Sequence, residues 1–221
     1  MADKPVKLDL GSGPKPARGF RGIDLYCGKT KADRVDLFQT PWPWEDSSVD
    51  FVRCSHFIEH LPAPYMRPEP LPADWRTSMQ LDEVYDRPWT MRYPLVEFMT
   101  ELYRVLKPGG QAHIIHPHLK SERAFQDPTH CVFLPMSAWL YVQRPWRIEN
   151  QLDHPPYPLV DFQVQASYDN IPATVTMRPE AGQQQWINHF WEAAGDVQVL
   201  LTSLKEDPAP PVQKARTPRK R

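Results

Sequence analysis

No run of about 18 apolar residues occurs in the 221-residue chain, so nothing in it is suited to span a bilayer as a helix. The opening Met1-Ala2-Asp3-Lys4-Pro5 has no basic-then-apolar signal peptide, and a soluble, cytoplasmic protein without membrane contact is expected. Cysteine is scarce. Cys27, Cys54 and Cys131 form no C-x-x-C pair and leave an odd count, which argues against a disulfide framework or a structural zinc knuckle. A large excess of one charge is also missing, since the formal net charge is −1. Charge is unevenly spread, however. From Glu206 onward five basic residues (Lys214, Arg216, Arg219, Lys220, Arg221) outnumber two acids, so the preceding body is mildly acidic. This tail, residues 206–221, carries four prolines and little apolar surface, too little to offset the entropy of ordering. A flexible, solvated terminus is expected; contact with nucleic acid through it is the less favoured alternative.

Proline is abundant instead. The chain holds 26, more than twice average usage, and seven fall between Pro62 and Pro94. That density excludes a long regular helix or a central strand there. Trp75, Met79, Leu81, Val84, Tyr85 and Trp89 supply apolar surface, so the stretch reads as an irregular lid, with a short helix around Ser78 to Tyr85. With 41% hydrophobic residues the chain can bury one good core, and a single domain over residues 1–205 is expected, interrupted by the 62–94 lid.

Seven strands are expected, at Val6 to Leu10, Arg21 to Asp24, Arg34 to Asp36, Val49 to Ser55, Gln111 to His116, Asp161 to Ala166 and Val197 to Leu204. Leu95, Phe98, Met99, Leu102 and Leu106 recur at three and four and mark a helix face, ended by Lys107-Pro108-Gly109-Gly110 as a cap and tight turn. A second helix is expected at Gln183 to Ala194, with Trp186, Ile187, Phe190 and Trp191 on one face. Such alternation predicts an α/β, Rossmann-like, mainly parallel sheet with helices on both faces.

The first strand runs into Gly11-Ser12-Gly13-Pro14, where two glycines let backbone approach a ligand that a side chain would block. Gly22-Ile23-Asp24 follows, then Val35-Asp36-Leu37, Ser48 through His56, Glu59-His60-Leu61, and Leu102 through Gly110 running into Ile115. In order and interval these resemble the class I (Rossmann-like) S-adenosylmethionine-dependent methyltransferases, over roughly residues 6 to 130. The Gly-x-Gly-Pro loop, Gly19-Phe20-Arg21-Gly22-Ile23-Asp24 and Asp127-Pro128-Thr129-His130 resemble a small methyltransferase-type-11-like subgroup.

The resemblance implies S-adenosylmethionine as cofactor and methyl transfer to an oxygen or nitrogen nucleophile. It implies that Gly11 and Gly13 pass under the methionine and ribose portions, with Asp9 supporting the loop. Asp24 would accept the ribose hydroxyls, and Asp36 the adenine amino group beside the Leu37 backbone. Ser55 and His56 would line the sulfonium end, and His60 would stand behind them or cap the core. His130 or Asp127 would be an auxiliary base. One departure is that Pro14-Lys15-Pro16 stands where many relatives have a third glycine, so the first crossover helix must be very short or absent. That argues against a dinucleotide, whose pyrophosphate needs a helix end.

His113-Ile114-Ile115-His116-Pro117-His118 offers another reading, in which His116, His118 and His130 with Asp127 form a metal centre of a hydrolase or lyase. The favoured reading assigns no metal. A third reading is a non-catalytic cofactor-binding partner subunit. Neither Asn-Pro-Pro-Tyr nor Asp-Pro-Pro-Tyr follows the fourth strand, and Pro155-Pro156-Tyr157 comes too late to replace them, which weakens DNA amino-methylation. Tyr65, Trp75, Tyr85, Trp89, Trp139, Tyr141 and Trp146 offer surfaces to stack a small-molecule, sugar or nucleoside-type acceptor.

Overall fold

The computed structural model describes residues 4–26, 32–68, 74 and 88–206. The expected helix at Ser78 to Tyr85, and nearly all of the basic tail, lie outside these residues. A seven-stranded sheet forms the body. Its strands are β1 (Lys7–Leu10), β2 (Arg21–Asp24), β3 (Asp33–Arg34), β4 (Val49–Ser55), β7 (Leu106–Pro117), β8 (Phe162–Asp169) and β9 (Asp196–Ser203), in spatial order β3-β2-β1-β4-β7-β9-β8. The first five run parallel, while β9 pairs antiparallel with both β7 and β8. The chain steps outward from β1 to β2 and β3, then returns to place β4 on the other side of β1. That reversal is a topological switch point, and the crevice beyond its carboxyl ends is where such sheets bind ligands.

The expected absence of a first crossover helix is observed, because residues 11–20 connect β1 to β2 by turns alone. Helix α1 (Pro94–Val105) leads into β7 and buries Phe98, Met99, Leu102 and Val105 against the sheet core around Leu8, Leu10, Val52 and Ile114. Each such side chain contributes about 1.5–3 kcal/mol of burial. The Lys205 ammonium donates to Arg104 O at 2.8 Å and Leu106 O at 2.6 Å, satisfying carbonyls at the helix end with a positive charge. Helices α2 (Arg144–Glu149), α3 (Ala173–Thr176) and α4 (Glu180–His189) complete the described α-helices.

Three expectations are corrected. The strand expected to start at Gln111 already starts at Leu106, since Leu106 pairs with Val49 and the Pro-Gly-Gly segment is absorbed as an irregularity opposite Val49 and Phe51. The helix expected at Gln183 to Ala194 ends at His189, where Phe190 turns extended and stacks on Trp186 at 4.2 Å. Phe190 and Trp191 are exposed, and Ala193 and Ala194 fill the cluster beneath with Val175 and Ile187. The ends of the lid are regular: β5 (Tyr65–Pro68) and β6 (Trp89–Arg92) form an antiparallel ribbon, with Met66 opposite Met91. Pro68 ends β5 opposite Trp89, at the limit of the ribbon. No described helix is long and apolar enough to cross a membrane.

Candidate active site

At the switch point, the loop after β1 is built from both sides. Gly11 has φ +64°, and a Cβ there would come within 2.4 Å of the Phe57 ring. Gly13, at φ +56°, has open space around it, so only its backbone conformation requires glycine. The Gly13 amide donates to Asp24 Oδ2 at 2.8 Å, which binds the loop to the end of β2. Asp9 is wholly buried; its Oδ2 accepts from the Ala17 amide and its Oδ1 from Arg53 Nη1, both at 2.8 Å. Asp9 therefore fastens the far end of the loop and does not line the crevice.

A cleft of about 440 Å³ opens over Gly11, Asp24, Asp36, Leu37, His56 and Phe57, with Leu25, Tyr26, Val35, Phe38, His60 and Thr129 completing its wall. Four residues named from the sequence as cofactor contacts thus share one wall with the first glycine: Asp24, Asp36, Leu37 and His56. Gly13 and Ser55, also named from the sequence, do not line it; Ser55 closes β4 opposite Ile115. Asp24 Oδ1 accepts from the Tyr26 amide at 2.8 Å, and Asp36 Oδ1 from the Phe38 amide at 3.0 Å. A carboxylate oxygen has two acceptor directions, so both acids keep capacity toward the cleft. The rings of Phe38 and Phe57 stack at 5.7 Å, with Phe38 exposed.

His56 has φ +53°, and its amide donates to Ile115 O at 2.9 Å. Its Nδ1 lies 3.2 Å from Glu59 Oε1, and its Nε2 3.8 Å from Asp196 Oδ2. The hydrogen bond to Glu59 holds the imidazole's pKa above its usual value, against the opposing effect of burial. A second hollow of about 260 Å³ adjoins the cleft. It shares His56 and His60 with it and adds Glu59, Arg123, Asp127 and His130. In that hollow Asp127 Oδ1 accepts from the Thr129 hydroxyl at 2.7 Å and from its amide at 2.8 Å. These bonds hold the Asp127 carboxyl below the usual carboxylate range, so it fixes the loop and is a poor proton acceptor near neutrality. His130 Nδ1 donates to Ala124 O at 2.9 Å, leaving Nε2 with its lone pair.

The metal centre expected as an alternative from His116, His118 and His130 is not assembled. His116 is buried, with Nδ1 donating to Pro117 O at 2.9 Å and Nε2 accepting from Trp139 Nε1 at 3.2 Å, so neither nitrogen is left for a metal. His118 is buried edge-on to Tyr168. Among the described residues, the group that does converge is Glu59, His60 and His130. Burial lowers the pKa of both His116 and His118. A histidine depressed in this way contributes stability that is present above its unfolded pKa of about 6.5 and is lost as pH falls below it. Protonating His116 would also set an N–H against the Trp139 N–H. Urea unfolding at pH 7.5 and 5.5 should therefore show a smaller acid-side loss of stability in His116→Gln than in the wild type; equal slopes would contradict this.

Sequence reasoning gave no role to Glu59, Phe38 or Asp196. Glu59 was visible only as the neighbour of His60. Phe38 could have been suggested by its position two residues after Asp36. Asp196 carries no local signal, since it arrives by antiparallel pairing of β9 with β7.

No protein-family model matches the chain, and no curated protein matches it in sequence. Solved structures do match. A SAM-dependent methyltransferase from Archaeoglobus fulgidus superposes with a TM-score of 0.53 at 16% identity, over 90% of this chain and 86% of that one. The YcgJ protein of Bacillus subtilis gives 0.46 at 14% identity over 92% and 93%. A SAM-dependent methyltransferase from Mesorhizobium loti gives 0.45 at 13% identity over 89% and 90%. The chain thus has the Rossmann-like fold of class I SAM-dependent methyltransferases, a conclusion carried by the first of these likenesses together with the strand order. At such identity the likeness reaches the fold, and the reaction must be argued from the site.

Proposed function

We propose that the chain is an S-adenosylmethionine-dependent methyltransferase acting on an oxygen or nitrogen nucleophile. The observation that carries this reading is the cleft at the switch point, where the close backbone approach at Gly11 meets the carboxylates of Asp24 and Asp36. In this reading Asp24 accepts the ribose hydroxyls, and Asp36 receives the adenine amino group beside the Leu37 backbone. The exposed ring of Phe38 offers adenine a stacking face. The methionine portion passes the Gly11–Gly13 turn toward Ser55 and His56. The cofactor has no phosphate, so the missing crossover helix costs it no anion site.

The reaction is a direct displacement. An acceptor nucleophile attacks the methyl carbon, the carbon–sulfur pair returns to sulfur, and a neutral thioether leaves. A sulfonium methyl is already electrophilic, so holding the nucleophile in line supplies most of the rate, and a proton acceptor is needed only for a protonated nucleophile. The two acceptors expected from the sequence, Asp127 and His130, line the adjoining hollow, where Asp127 is already engaged by Thr129. The acceptor is a small molecule, of sugar or nucleoside type in this reading. A methyl-labelled cofactor assay over a panel of such acceptors tests this: label should move to at least one of them with matching formation of S-adenosylhomocysteine. Cofactor binding without transfer to any acceptor would replace the enzyme with a non-catalytic partner subunit.

A further inference from the structure

We propose that Glu59, His60 and His130 form a binding site for a divalent first-row transition metal, placed beside the cofactor cleft to hold the oxygen of a hydroxyl acceptor. One ligand atom from each of the three lies within 4.8 Å of the others. Glu59 is 3% exposed; its Oε1 faces His56, and its buried Oε2 has no partner. An orphaned buried carboxylate oxygen is costly, and a cation bound there would remove that cost.

The histidine tautomers point the same way. The Thr129 hydroxyl gives its proton to Asp127 Oδ1, so toward His60 Nδ1, at 2.9 Å, it accepts. His60 therefore carries its proton on Nδ1, and His130 does likewise through Ala124 O. Both rings are left with an Nε2 lone pair, the arrangement that a carbonyl or hydroxyl behind the ring imposes on metal-ligating histidines. The rings lie 4.7 Å apart, centroid to centroid. Each of the three residues thus has a donor atom to offer a cation. The loop carrying His130 is also tied to Glu59, whose carbonyl accepts from the amides of Cys131 at 2.8 Å and Val132 at 3.1 Å.

Two imidazoles and one carboxylate suit zinc, iron or cobalt and leave coordination positions open. His60 lines both the hollow and the cofactor cleft, so a metal held there would border the cleft. The acceptor role rests on the methyl-transfer reading. An acceptor hydroxyl bound to the metal loses its proton to water, its oxygen forms a bond to the methyl carbon, and the carbon–sulfur bond breaks with its pair on sulfur. A methyl ether and a neutral thioether result.

Full-length protein freed of metal by a chelator and then dialysed should bind one equivalent of Zn²⁺ by calorimetry and show visible d–d absorption with Co²⁺. His60→Ala and His130→Ala should each lower Zn²⁺ affinity about 100-fold or more, and Thr129→Val by about 10-fold. His154→Ala, on an exposed loop, should match the wild type. Glu59→Gln, paired with circular dichroism, keeps the test open where an alanine variant fails to fold, and should also lose the site. No saturable Zn²⁺ or Co²⁺ binding by the wild type, or binding that survives both histidine substitutions, overturns the proposal. A parallel titration with S-adenosylhomocysteine keeps the readings apart. Thioether binding without metal binding sinks this site alone, and metal binding without thioether binding sinks its acceptor role.

Discussion

Asp24→Ala will weaken S-adenosylhomocysteine binding by at least about 100-fold while the protein stays folded. The carboxylate faces the cleft at the end of β2 and, under the proposed reading, exchanges two charge-assisted hydrogen bonds with the ribose hydroxyls. Such bonds are worth about 1.5–3 kcal/mol each, so losing both corresponds to about 100-fold or more in Kd. The same side chain also orders the loop, through the amides of Gly13 and Tyr26. Asp24→Asn is the milder change, since its amide oxygen keeps one of the two loop bonds and its remaining acceptor capacity while the charge is lost; about 10-fold weakening is expected. Calorimetry on both variants, with circular dichroism to verify folding, gives the comparison. Wild-type affinity in Asp24→Ala would remove the carboxylate from any role in cofactor binding.

The largest stability effect is expected at Arg53. Its guanidinium side chain is 34% exposed, whereas its partner Asp9 is fully buried within β1. The two halves of this ion pair are therefore not equivalent. Arg53→Leu leaves a buried carboxylate with only the Ala17 amide to answer it, and breaking a buried pair in this way costs about 3–5 kcal/mol. For a chain of this length that lowers Tm by roughly 6–20 °C. Adding Asp9→Asn to Arg53→Leu should restore part of the loss, since a neutral amide is far cheaper to bury than a carboxylate. Urea unfolding of the two single variants and the double variant measures the coupling. Arg53→Leu within about 0.5 kcal/mol of the wild type would mean that Asp9 is held by something other than this pair.

Elements governed by local pattern were legible from the sequence. Val49–Ser55 alternates between half-buried and buried residues from Phe51 onward, and its bounds were read as they stand. Helix α1 declared its buried face through three- and four-residue spacing. What depended on distant partners was not legible. Lys107-Pro108-Gly109-Gly110 reads locally as a stop, yet pairing with β4 draws it into β7 as an irregular stretch. Tyr65–Pro68 looked irregular for its prolines until β6, more than twenty residues on, supplied a ladder partner.

The site divides in the same way. Asp24 and Asp36 could be named because they stand in the motifs that carry the family resemblance, and the strand ends that bear them converge at a switch point. His116 had the spacing of a metal ligand, but Trp139 occupies its second nitrogen from 23 positions away. Glu59 was plain in the motif and silent in meaning. Its interest comes from burial and an unpartnered oxygen, which only tertiary packing creates.

The switch-point cleft should take an adenosyl thioether. Calorimetric titration of the folded wild-type chain with S-adenosylhomocysteine should give saturable one-to-one binding that adenosine triphosphate does not compete away. A folded sample that shows no binding heat and no thermal shift at saturating thioether would contradict it.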